Sequence, residues 1–80
     1  MKTNINDNPA TSASQTQRIL AYMREGNAIT PIEALSKFGS FRLGARISDI
    51  AKIIGYAPHR KRVQVKNREG KQVYVQQYWL

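Results

Sequence analysis

The sequence has no cysteine, a single histidine and only five acidic residues among 80. Without thiols there is neither a disulfide framework nor a thiolate metal site, which fits a reducing compartment. A metal site on His59 would need a carboxylate cluster, and the acids are scattered. The same scarcity argues against catalysis. No serine stands in a nucleophile-elbow setting, nothing positions a Ser/His/Asp set, and Gly39, Gly44, Gly55 and Gly70 each have a local structural reading rather than forming a phosphate-cradling loop. No enzymatic activity, cofactor, metal or small-molecule substrate is expected. No apolar run approaches the roughly 20 residues of a membrane span, and the N-terminus lacks the apolar stretch of a signal peptide, so a cytoplasmic, nucleoid-associated protein is expected.

What is present is positive charge, unevenly placed. The formal net charge is +8. From Arg42 to Lys71 there are nine basic residues, Arg42, Arg46, Lys52, Arg60, Lys61, Arg62, Lys66, Arg68 and Lys71, against the two acids Asp49 and Glu69. A polyanion is the natural partner of such a block, because each neutralised phosphate releases condensed counterions. A solvated surface kept for solubility is the bland alternative.

Residues 1–14 show no apolar period and are expected to be a disordered tail, leaving 15–80 as one small domain whose apolar residues nearly all belong to its core. Ile19, Leu20 and Met23, with Tyr22, recur at helical spacing between Gln15 and Gly26, with Ser14 or Thr16 as cap. Asn27 to Ile29 has room for an extended link or a one-bridge strand. Thr30-Pro31-Ile32-Glu33 reads as a helix start, with a Thr cap, Pro at the first position and Glu three after the cap, predicting a second helix over 31–38. Gly39 ends it and Ser40 is placed to cap a third helix after a very short connection, which makes a helix-turn-helix. In the third helix Leu43, Ile47, Ile50 and Ile54 fall on one stripe, sending Phe41, Ala45, Ser48, Asp49 and Lys52 outward with Arg42 and Arg46 on a flank.

Ala57-Pro58 forbids helix, and Arg62 to Val65 and Gln72 to Gln76 alternate as strands. A three-residue loop Arg68-Glu69-Gly70, with Gly70 left-handed, pairs Asn67 with Lys71, Val65 with Val73 and Val63 with Val75. One hairpin face is then apolar, to lie on the helices, and the other carries Gln64, Lys66, Tyr74 and Gln76. Trp79 shares parity with Val75 and is expected in the core. The fold class is α+β, mainly α: three helices followed by a two-stranded β-hairpin wing, a winged helix-turn-helix.

The run Ile29-Thr30-Pro31-Ile32-Glu33-Ala34-Leu35, then Phe38-Gly39, Arg42-Leu43-Gly44-Ala45-Arg46-Ile47-Ser48-Asp49 and Gly55-Tyr56, with the closing Tyr78-Trp79-Leu80, resembles a family of small phage and prophage winged helix-turn-helix proteins. The resemblance covers Gln15 to Leu80 and implies the fold and DNA binding. The chain differs from that pattern in Ala51-Lys52-Ile53-Ile54, where relatives carry basic residues, and in the inserted Ala57-Pro58. Ile53, at about 90° from the core stripe, would with Phe41 suit a homodimer or protein contact.

In a helix-turn-helix the second helix enters the major groove. Arg42 and Arg46 are the donors suited to a guanine edge, with Ala45 and Gly44 keeping the surface between them low and Lys52 farther along for phosphate; Arg46, about 70° from the apolar stripe, could instead pair with Glu33 or Asp49. Asp49 could accept from a cytosine amino group, or orient Arg46 or Arg42. Ser40 could offer its hydroxyl and nearby amides to a phosphate. In the hairpin, Lys66, Arg68 and Lys71 surround the tip and Arg60, Lys61 and Arg62 the base, placed for minor groove or backbone. The function expected is sequence-specific binding of double-stranded DNA, in transcriptional regulation. A module that binds and modulates a host or phage protein is the alternative, with the basic surface answering an acidic partner. RNA binding has less support, since no aromatic base-stacking motif is present.

Overall fold

Three helices and one hairpin follow one another in a computed structural model that describes residues 11–80: α1 (Ser12–Arg24), α2 (Pro31–Phe38), α3 (Leu43–Ile54), β1 (His59–Lys66) and β2 (Gln72–Trp79). The expected tail over residues 1–14 lies, up to residue 10, outside the described residues; residues 11–14 are the cap and first turn of α1. Thr11, not Ser14 or Thr16, is the cap, its Oγ1 accepting the Ser14 N–H at 3.1 Å. The first turn buries little, so apolar periodicity cannot register it.

The start of α2 is a capping box at Thr30. The Glu33 carboxylate accepts the Thr30 N–H at 2.9 Å, and Pro31 occupies the first turn. Gly39 ends the helix in a left-handed conformation at φ 69°, where a side chain would be strained. Its N–H donates to the Leu35 carbonyl, and the Ser40 N–H donates to that of Ala34.

The core is helical. Ile19, Leu20 and Met23 of α1, Ala34 of α2 and Leu43, Ile47 and Ile50 of α3 are buried together with Ile29 from the link. Tyr22, Phe38, Ile54, Tyr78 and Leu80 pack around them, half-buried. Tyr22 and Phe38 meet edge to face at 5.4 Å between ring centres, a geometry that adds to their burial.

Ile29 forms the single bridge that the link allows. Its N–H donates to the Tyr78 carbonyl at 2.8 Å and its carbonyl accepts the Tyr78 N–H at 2.9 Å. This ties the base of the hairpin to the helices. The hairpin itself is antiparallel, with Val63 opposite Val75 and Val65 opposite Val73, the register that the alternation predicts. Asn67 closes the tip, donating its N–H to the Lys71 carbonyl at 2.8 Å while its side-chain Oδ1 accepts the Glu69 and Lys71 N–H groups. Gly70 is left-handed at φ 82°.

Two expectations about the hairpin are corrected. Trp79 is not among the residues packed on the core; Tyr78 and Leu80, of the opposite parity, are. Trp79 instead stacks on His59 at 5.4 Å, with the Lys61 ammonium over its ring. Nor do the four valines enter the core. Two-stranded ribbons twist strongly, so a face that looks toward α2 near the tip need not look toward the core at the base.

Candidate nucleic-acid interface

The apolar stripe of α3 is turned inward, and this decides which of its polar residues stand free. Arg42 is the residue that caps the helix, exposed, its carbonyl accepting the Ala45 and Arg46 N–H groups at 3.1 and 3.2 Å. Lys52 is exposed a little under three turns on, and Ser48 is exposed between them. Ala45 is half-buried and leaves that surface low.

Ser40 does not join this surface. Its residue is 2% exposed, and its Oγ faces the Arg42 N–H at 3.4 Å. Its hydroxyl supports the turn, and α3 has no side-chain cap because its cap position is Arg42, which carries no acceptor.

Arg46 is drawn inward as well. Its side chain is 13% exposed, and one guanidinium nitrogen lies 3.2 Å from Asp49 Oδ2 in an i,i+3 pair. The same carboxylate oxygen accepts the Thr16 hydroxyl of α1 at 3.3 Å. A guanidinium held in that network ties α3 to α1, the Asp49 pairing that the helical spacing allows. Beside it, the buried Gln15 donates through Nε2 to the Gly39 carbonyl at 3.1 Å, fixing α1 to the helix-turn-helix turn. Sequence reasoning missed Gln15 and Thr16. They stand four residues before Ile19 and Leu20, on the inward face of α1, and polar residues at such positions signal buried hydrogen bonds.

The hairpin divides its cations between two faces. On one face Arg60 and Arg62 stand in register with Tyr78 and Gln76. Arg60 lines a cleft of about 450 Å³ with Gly44, Ser48 and Ala51 of α3. The polar face of the ribbon and the open flank of the helix are therefore one continuous surface. Arg62 lies over the ring of Tyr74, 4.9 Å from its centre, an arrangement that holds the guanidinium flat against the strand. At Gly44, which keeps the helix surface low as its residue type predicts, a Cβ would meet nothing within 4 Å, so packing does not demand glycine.

At the tip, Lys66, Arg68 and Lys71 are exposed. Lys66 and Arg68 line a different cleft, on the α2 side of the ribbon. Among the described residues, Arg42, Lys52, Arg60, Lys66, Arg68 and Lys71 form no ion pair or ring contact. These cations are open to an external anion. Also among the described residues, no group of His, Asp and Glu could hold a metal, and no helix is long and apolar enough to cross a membrane.

A family model for the winged helix-turn-helix domain matches residues 14–80, nearly the whole described chain. No curated protein and no solved structure matches.

Proposed function

The chain belongs to the winged helix-turn-helix domain family, and from that premise we propose that it binds double-stranded DNA in a sequence-dependent manner, as a transcriptional regulator of the phage and prophage type. One observation carries the reading: the open flank of α3 and the Arg60 face of the hairpin meet across a shared cleft. A helix set in the major groove would bring that ribbon face along the flanking backbone.

The residues divide by what they reach. Arg42, at the start of α3, is the long donor for a guanine O6/N7 edge, with Ala45 and Ser48 allowing close approach and Lys52 meeting phosphate. Arg60 and Arg62 follow the backbone, and Lys71 extends the contact at the tip. Gly44 supports the same reading. A helical glycine costs roughly 1 kcal/mol against alanine, and with no packing reason for it, the room it leaves beside Arg60 suits a nucleic-acid backbone.

Titrating a duplex over a range of salt concentrations tests the proposal. Contact with about six phosphates predicts a log-log slope of roughly −5. Affinity that does not change with salt would contradict it.

A further inference from the structure

On the side of the ribbon away from Arg60, the structure leaves apolar surface uncovered. A cleft of about 710 Å³ runs between α2 and the hairpin, lined by Ile32, Leu35, Val65, Val73 and Val75 and edged by Lys66 and Arg68. A smaller depression continues it past Ile32 and Leu35 to Phe41. Ile32 is 64% exposed and Phe41 86%. A contiguous strip of large apolar side chains on a chain this small is characteristic of a binding surface, and neither the core nor the α3 side of the ribbon uses it.

Charge decides what fits. No acidic residue lines the cleft, and two cations stand at its edge. The chain itself has little to offer in return. Of the acids among the described residues, Glu33 is held in the α2 capping box and Asp49 by Arg46 and Thr16, Glu25 follows the end of α1, and Glu69, next to Arg68 at the hairpin tip, is the one acid near the cleft. A second copy would therefore set cations against cations, on a chain of net charge +8. We propose that the α2–hairpin cleft docks an acidic amphipathic segment of another protein, its apolar stripe on Ile32, Leu35 and the valines and its carboxylates on Lys66 and Arg68. This is helix-in-groove recognition with a charged edge. It goes beyond the DNA reading and stands without it.

The test uses the full chain and two synthetic peptides of about 16 residues and identical Leu/Glu composition, one with leucines at i, i+3, i+4 and i+7, the other shuffled so that no stripe forms. At about 0.15 M salt, screening limits the attraction common to both peptides. The striped peptide binds about tenfold more tightly than the shuffled one and shifts the amide resonances of Ile32, Leu35, Val65 and Val73. Ile32→Ser and Leu35→Glu abolish the difference while each keeps the dispersed spectrum of a folded chain. Equal binding of the two peptides overturns the proposal, and so does a preference that survives Ile32→Ser. Self-association of the peptide-free chain that Ile32→Ser abolishes would assign the cleft to a second copy and overturn it as well. Duplex affinity, measured in parallel, is unchanged by Ile32→Ser, so loss of DNA binding in the unaltered chain reports on the other reading alone.

Discussion

Among the described residues the helices hold the buried apolar side chains, with Ile29 and Pro58 of the links as exceptions, whereas neither hairpin strand holds any. The hairpin holds most of the uncommitted positive charge instead. Close packing is thus concentrated in the helices and open charge in the hairpin. The helical half is fixed by close packing and by polar ties such as Gln15 to Gly39 and Thr16 to Asp49. The ribbon is fixed by its own ladder, by the Asn67 turn and by one bridge to Ile29 at its base. A ribbon held this way can present two dissimilar faces because, of its strand residues, Tyr78 alone packs on the core.

The largest expected effect follows from that division. Ile50→Ala, at a fully buried position of α3, should cost about 2–5 kcal/mol in denaturant unfolding. Val75→Ala, on the half-buried hairpin face, should cost about 1 kcal/mol or less. Equal losses would place the hairpin in the core after all. Next come the two arginines of the helix-turn-helix. Arg42→Ala should weaken binding to a preferred duplex by about 1–3 kcal/mol and relax its sequence preference. Arg46→Ala should lower thermal stability by about 1 kcal/mol, since its partner Asp49 is partly exposed, and should leave base preference intact. A change of base preference with Arg46→Ala would reverse the roles of the two.

Lys71→Ala should weaken all duplexes alike and reduce the salt slope by about one. Selective loss for one sequence would make the tip a reader of bases. The smallest effect is expected at Gly44. Gly44→Ala should stabilise the fold by up to about 0.5–1 kcal/mol and yet weaken duplex binding. Unchanged affinity would mean that the space beside Arg60 is not used by the nucleic acid.

Much of this organisation is legible in the residues because local rules govern it. Thr30-Pro31-x-Glu33 places the start of α2, the four-three-four spacing places the core stripe of α3, and the valines with Gly70 set the hairpin register. Other features depend on relations between elements. Trp79 follows strand parity correctly, but twist decides what each face meets, and Tyr78 reaches the core in its place. Ser40 has the residue type of a cap, yet the turn closes over it. Arg46 differs from Arg42 by its place near the apolar stripe and by Asp49 three residues on, whereas the tie from Asp49 to Thr16 of α1 depends on how the helices meet. The first turn of α1 escapes because it has nothing large to bury. The open α2–hairpin cleft escapes for a related reason: alternation shows that a face is apolar, and only the packing shows that it is left uncovered.

The central claim is that the two faces of the ribbon serve different partners, with DNA on the α3 side. Amide resonance mapping of the full chain during duplex titration tests it most directly. The account predicts shifts at Arg42, Ala45, Ser48, Lys52, Arg60 and Arg62, with Ile32, Leu35 and Val73 undisturbed. Shifts concentrated at Ile32, Leu35 and Val73, with Arg42, Ser48 and Arg60 unmoved, would contradict it.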